Sequence, residues 1–218
     1  MAFLEYEQLS RSIGRQRSSA SRFLPGVEEE EAAGEVSELY AYFRSHFGRA
    51  DVPGILKCFA THPPLLRHMM ALSESMIFAD GHLIRRHKEM IATLVSSQNE
   101  CPYCADSHGY FLRVHGGSAE ALCAIQKNDL ASSSLTAGER QLLSFVRKVN
   151  GSSHEIDKAD VDLLYDAGWS QLQIAEAVHV AALFSTFNRV ANAFGLQSQG
   201  LLALFESQGK AALGIGPE

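Results

Sequence analysis

Residues 83–117 read LIRRHKEMIATLVSSQNECPYCADSHGYFLRVHGG, and two consecutive helices are legible in them. From Leu83 to Gln98 the apolar residues Ile91, Leu94 and Val95 recur three and four positions apart, the spacing that lays side chains along one helix face. A second helix is expected from Cys101 to His115. Pro102 suits its first turn, where a missing N–H costs nothing, and Gly116-Gly117 stops it.

The same pattern extends outward in both directions. Upstream, Pro63-Pro64 opens a segment with Leu65, Leu66, Met69, Leu72 and Met76 on one expected face, interrupted at Gly81. Pro53-Gly54 starts a shorter one with Ile55, Leu56 and Phe59. Glu28 to Glu31 read as the acidic, solvated first turn of a helix carrying Leu39, Tyr42, Phe43 and Phe47 and closed by Gly48. Downstream, Ala119 to Ile125 is a short helix, and Thr136 with Glu139 forms a capping box ahead of Leu142, Leu143 and Val146. Ala159 to Tyr165 follows a Gly151-Ser-Ser loop. Ser170 caps the longest helix, which runs to about Phe194 and stops at Gly195, and Leu201 to Ala212 forms a peripheral last helix. Period-two alternation is almost absent, so the expected fold is all-α, built of antiparallel helices with no significant sheet. The organisation reads as an N-terminal arm (1–24), a helical domain (25–196), and a C-terminal helix and tail (197–218).

Composition excludes several classes of function. The chain of 218 residues has 19 Lys and Arg against 25 Asp and Glu, a net charge of −6, and so lacks the basic footprint of a nucleic-acid binder. Four cysteines are too few for a secreted disulfide scaffold. No run reaches the roughly 18 apolar residues of a membrane span. The Ser- and Arg-bearing N-terminus lacks the apolar core of a secretory signal, and Glu5 and Glu7 speak against an organelle transit peptide. An arm ending at Pro25-Gly26 and a cytoplasmic location are the expectations. No haem, flavin or nucleotide motif and no Gly-rich phosphate loop is present, so no cofactor is expected.

Chemistry concentrates in Cys101-Pro-Tyr-Cys104-Ala-Asp-Ser-His108. Offsets of three and four put Cys101, Cys104 and His108 on one helical stripe, with His115 seven further on. A cysteine at a helix start has its thiolate favoured by the dipole, and a partner three residues on can close a disulfide with it. His108 can take a proton from the Cys104 thiol or deliver one to a leaving group. Competing readings are two thiols that merely pack, or a zinc site using Cys101, Cys104, His108 and His115. A single helical stripe surrounds a tetrahedral ion poorly. A thioredoxin-like domain also uses CxxC but needs a βαβ frame. Glu89 reads equally as a buried carboxylate among Met90, Ile91, Leu94 and Val95, or as a partly exposed residue near Arg85, Arg86 and Lys88. Cys58 and Cys123 are read as small core residues, and His62 as ordering a turn. His179 is read as a core or interface residue, and Asn188 and Asn192 as bonding to neighbouring backbone or to another subunit.

The segment Glu89 to His108 resembles the signature of the alkylhydroperoxidase D/carboxymuconolactone decarboxylase family, in its peroxidase-related branch. The resemblance extends through Val52-Pro-Gly-Ile-Leu, Thr61-His62-Pro63, Thr136 to Arg140, and Phe187-Asn188-Arg189-Val-Ala-Asn192-Ala-Phe-Gly195, covering roughly residues 25 to 196. It implies a helical domain in which Glu89, Cys101, Cys104 and His108 form a proton relay and disulfide centre. By that resemblance Cys104 is the peroxidatic thiolate, Cys101 resolves its sulfenic acid as a disulfide, and His108, bonded to Glu89, moves the proton. One position departs from the pattern: Tyr103 stands where alkylhydroperoxidase D has a histidine, and a phenol is a poor base at neutral pH. Tyr103 is therefore expected to line the pocket or bond a peroxide oxygen.

The function that follows is a thiol-dependent hydroperoxide reductase, acting on a small hydroperoxide and drawing electrons from a thioredoxin-like or lipoyl-bearing dithiol. Alternatives are a lactone decarboxylase or isomerase, a branch that does not need the CxxC, and a non-enzymatic redox sensor. The long apolar helix and the resemblance together imply a homo-oligomer: a dimer, trimer or hexamer.

Overall fold

A computed structural model describes residues 22–212, with the side chains of 208–212 left undescribed. Most of the expected N-terminal arm, residues 1–21, and the tail at 213–218 lie outside the described residues. The described residues form ten α-helices and no strand, as the periodicity predicts. In chain order they are α1 (Gly34–Phe47), α2 (Gly54–Phe59), α3 (Pro63–Ser73), α4 (Arg85–Gln98), α5 (Pro102–Val114), α6 (Ala119–Gln126), α7 (Ala137–Ser152), α8 (Lys158–Asp166), α9 (Gln171–Phe194) and α10 (Leu201–Ala212).

The capping signals act where they are written. Thr136 and Glu139 bond reciprocally at the start of α7, and Ser170 and Gln173 do the same for α9. Gly195 ends α9 in the left-handed region at φ 75°, a conformation that costs glycine no steric strain.

At the centre lies α4, packed by α5, α6, α7 and α9. The sequence predicts one apolar face for it, but every residue from Lys88 to Ser96 is buried. Neighbours cover it on all sides, so Lys88, Glu89, Thr93 and Ser96 must find polar partners inside the protein. Lys88 Nζ meets Glu176 Oε1 of α9 at 2.8 Å and donates to the Ala79 carbonyl at 3.1 Å. The other Glu176 oxygen accepts from the backbone N–H groups of His82 and Leu83 at 2.6 and 2.7 Å. This buried knot ties the loop entering α4 to the long helix.

Gly81 makes room for it. A Cβ there would stand 2.2 Å from Glu176 Oε1, so Gly81→Ala must push the carboxylate off Lys88. Overpacking of this kind costs about 1–3 kcal/mol. A fall in the urea midpoint of Gly81→Ala is the expected result, and an unchanged midpoint would show that the knot yields freely.

Several local expectations are corrected. The first helix starts at Gly34, and Glu28 to Glu31 lie before it. Glu28 and Glu29 are not a solvated face: Glu28 meets Arg22 and Lys57 at 2.7 and 2.9 Å, and Glu29 meets Arg44 at 2.5 Å. On α3 the buried face is Leu66, Met69 and Met70, whereas Leu65 and Leu72, a quarter-turn away, are exposed. Instead of ending near Gly81, α3 passes into a π-helical turn, Glu74–Phe78, with Ala79 N–H bonded to the Glu74 carbonyl at 2.8 Å. Gly151 and Ser152 belong to α7, which then tightens into a short 3₁₀ turn. Cys58 is buried as expected, but Cys123 is exposed, because α6 turns that side away from α4. His179 is exposed on α9, which leaves the interface half of its expected placement and removes the core half. His62 occupies the position before α3 and orders that turn through its carbonyl, which accepts from Leu65 and Leu66.

The last helix, α10, sits on α5. Asp106 accepts from the Leu201 and Leu202 N–H groups at 3.0 Å each, and Tyr110, Leu201 and Phe205 form a small cluster separate from the main core.

Candidate active site

The hairpin of α4 and α5 carries Cys101, Cys104 and His108, which spacing singled out, and Glu89, which the family resemblance added. Cys101 occupies the position before α5, Pro102 opens the helix, and Cys104 and His108 follow at one-turn intervals. Both cysteines are buried free thiols. Glu89 is fully buried, which decides the ambiguity of the sequence in favour of the enclosed carboxylate. Its Oε2 meets His108 Nδ1 at 2.7 Å, and its Oε1 accepts from Arg85 Nε at 2.6 Å. The Arg85 guanidinium lies 4.7 Å above the Phe78 ring and 5.9 Å from Phe111, so the π-helical turn and α5 both hold it in place.

Burial alone would raise the Glu89 pKa, but His108 and Arg85 more than offset it and hold the carboxyl below the usual carboxylate range. An ionised Glu89 accepts a proton-bearing Nδ1, so Nε2 is the His108 ring nitrogen left to exchange a proton with the cavity. Phe184 packs edge-on against the imidazole at 4.4 Å between centroids and fixes its plane.

The two sulfurs share one hydrogen bond, which shifts their ionisation in opposite directions. Cys101 is brought down to about 7, first by the Cys104 thiol that donates to it. Burial opposes this, while the first N–H groups of α5, at Cys104 and Tyr103, and the Asn188 amide add to it. Cys104 is pushed well above the ordinary thiol range by the same bond, by burial and by the charge on Cys101. These opposite shifts make Cys101 the more readily ionised of the two thiols.

Cys104 and His108 line one cavity of about 130 Å³, walled by Phe43, Phe47, Ile55, Met70, Phe78 and Phe184. Tyr42 and Glu74, bonded at 3.3 Å, stand at its solvent end. Tyr103 lines the cavity, and its hydroxyl accepts from the Ile55 N–H at 3.5 Å, which anchors α2 to α5. His115, at the far end of α5, takes no part in the cavity wall. Among the described residues no three His, Cys, Asp or Glu side chains converge closely enough to hold a metal ion.

Two residues of this site escaped the sequence reading. Arg85 was legible only as a charged neighbour of Glu89. Asn188, expected to bond backbone or another subunit, instead lies fully buried against the thiols and bonds Ser96 and Asn99 side chains. The available signal was an amide in an otherwise apolar stretch of α9, where a buried polar group demands partners. Asn192 bonds backbone as expected, to the Asn99 carbonyl at 3.0 Å.

Comparison with known proteins gives concordant results. The model of the carboxymuconolactone decarboxylase family matches residues 63–128, a span that contains Glu89, Cys101, Cys104 and His108. A structure from Ralstonia eutropha JMP134, described as an alkylhydroperoxidase AhpD core and uncharacterized peroxidase-related protein, superposes with a TM-score of 0.74. It covers 84% of this chain and 95% of that one at 24% identity, a likeness of fold. An uncharacterized peroxidase-related protein from Silicibacter sp. TM1040 gives a TM-score of 0.67 at 28% identity, over 78% of this chain and 90% of that one. "Uncharacterized protein 4 in cox locus" of Paracoccus denitrificans is 38% identical over 53 residues, 24% of this chain, so the chain spans about half (47%) of that curated relative. The helical architecture and the match over the α4–α5 hairpin together make this chain similar to the alkylhydroperoxidase D/carboxymuconolactone decarboxylase family and to peroxidase-related proteins of that fold.

Proposed function

We propose that this protein is a thiol-dependent reductase of organic hydroperoxides. The observation that carries the reading is the Glu89–His108 pair at 2.7 Å, whose imidazole lies on the wall of the apolar cavity that Cys104 also lines. Attack by Cys104 draws its proton along the S–H···S bond to Cys101, so the pair never carries two charges. The Cys104 sulfur bonds the distal peroxide oxygen as the O–O bond breaks, and His108, having taken a proton from water on Nε2, delivers it to the departing alkoxide. The products are an alcohol and a Cys104 sulfenic acid. Cys101 then attacks that sulfur, and water leaves as the disulfide forms. Two electrons have passed from the thiol pair to the peroxide, and a thioredoxin-like or lipoyl-bearing dithiol restores them. Ionised Glu89 stabilises the imidazolium before it gives up its proton.

Cavity size supports an organic substrate. A cavity of about 150 Å³ accepts benzene, and the volume here is about 130 Å³ with a predominantly apolar wall. Self-association is part of the proposal, supported by the exposed apolar side chains Leu163, Tyr165 and Leu172 on α8 and α9. No helix among the described residues is long and apolar enough to cross a membrane.

The test is stoichiometric. One equivalent of cumene hydroperoxide added to the reduced protein is expected to consume two thiols and yield a Cys101–Cys104 disulfide, read by peptide mass spectrometry. Thiols that persist while the peroxide remains would overturn the reading.

A further inference from the structure

A chain of amides links α7, the end of α4 and α9, and their orientations are set by one another. Asn150 Oδ1 accepts from the Ser185 hydroxyl at 2.7 Å, and Asn150 Nδ2 donates to Asn99 Oδ1 at 3.0 Å. Asn99 must then turn its Nδ2 the other way, toward Asn150 Oδ1 at 3.2 Å and Asn188 Oδ1 at 3.0 Å. With its oxygen committed to Asn99, Asn188 has only its Nδ2 left on the side of α4 and the thiols. One of those two N–H bonds reaches Ser96 Oγ at 3.0 Å. The other faces the sulfurs of Cys101 and Cys104, both of which Asn188 contacts. The opposite amide flip would set two NH₂ groups against each other at Asn99 and a carbonyl oxygen against a thiolate.

We infer that Asn188 is a catalytic donor of the proposed thiol centre: its oriented N–H holds the single negative charge of the Cys101–Cys104 pair as that charge moves from one sulfur to the other. The side chain is fully buried and rises from the rigid interior of α9, so it needs no reorganisation when the charge shifts. Asn99 and Asn150 act through it as positioning residues, fixing from α4 and α7 which way the amide points. The attack in the proposed reaction moves charge from Cys101 to Cys104, and a donor that contacts both sulfurs serves both ends of that step. This role rests on the thiol-centre reading above, but its test needs no peroxide.

The experiment follows thiol ionisation directly, by pH titration of the Cβ NMR shifts of labelled cysteines in the reduced full chain. Wild-type Cys101 is expected to titrate near about 7. Asn188→Asp replaces the donor by an acceptor and is expected to lower the thiolate fraction at neutral pH by about tenfold or more, the equivalent of one unit in the midpoint. Asn99→Asp leaves the sulfurs untouched but offers Asn188 only acceptors, so the amide flips and the midpoint moves the same way. It also stands in if Asn188→Asp does not fold. Asn192→Ala removes an α9–α4 bond away from the sulfurs and is expected to leave the midpoint in place. A wild-type midpoint in folded Asn188→Asp or Asn99→Asp, or an equal shift in Asn192→Ala, would overturn the assignment. Failure of peroxide to oxidise the thiols would sink the reductase reading while leaving this titration result standing.

Discussion

Cys104→Ser is expected to lose dithiol-supported consumption of cumene hydroperoxide by a factor on the order of 10³ or more, because a hydroxyl in the same place supplies no thiolate. Cys104 lines the cavity with His108, and no other described cysteine shares that wall. Cys101→Ser is expected to behave differently. It retains the attacking sulfur but loses the resolving one, so it turns over once and stops as a sulfenic acid that dimedone traps. The electrostatics make this pair of variants decisive, since Cys101 is the more readily ionised thiol while the sulfur on the cavity wall is Cys104. A burst in Cys104→Ser with none in Cys101→Ser would exchange the two roles. Equal rates in wild type and both variants would remove the thiols from the mechanism.

Glu89→Gln is expected to strike both activity and stability. The amide is nearly isosteric, but it neither stabilises an imidazolium nor answers the Arg85 guanidinium 2.6 Å away. Loss of the proton donor's support should lower the rate by about 10²–10⁴. Breaking a buried pair from one side costs about 3–5 kcal/mol, since Arg85 and His108 lose the charge that compensates them. The sign of the pH effect follows from the direction of the shift. The carboxyl in the folded protein ionises below its unfolded value of 4.5, so its contribution is complete above that pH and is lost as pH falls through the lower, folded value. Wild type and Glu89→Gln should therefore differ most in urea midpoint near neutrality and converge in acid. A constant difference down to low pH would mean that Glu89 is not ionised in the folded protein.

The extent to which this site could be read in advance depends on how local each interaction is. Cys101, Cys104 and His108 lie on consecutive turns of one helix, so offsets of three and four bring them together. Glu89 lies on the preceding helix, nineteen residues from His108, and its role turns on the tight α4–α5 hairpin. Local pattern left it undecided; burial on all sides of α4 decided it. Asn188 is farther still, on α9, and contacts the thiols only because that helix packs across α4. A residue so distant in sequence announces its role only as a polar group that cannot be left unbonded in a core.

The amino-acid sequence by itself determined the helical class, because 3.6-residue periodicity, capping boxes at Thr136 and Ser170, and stop glycines are all local signals. It also determined the thiol–thiol–imidazole stripe, for the same reason. Tertiary structure alone decided which helix is central, that Leu65, Leu72 and Cys123 face outward, and that α3 runs on into a π-helical turn under Arg85. It also decided which of the two thiols ionises more readily. These depend on which neighbour covers each face, and burial is a property of the packed helices rather than of any one of them.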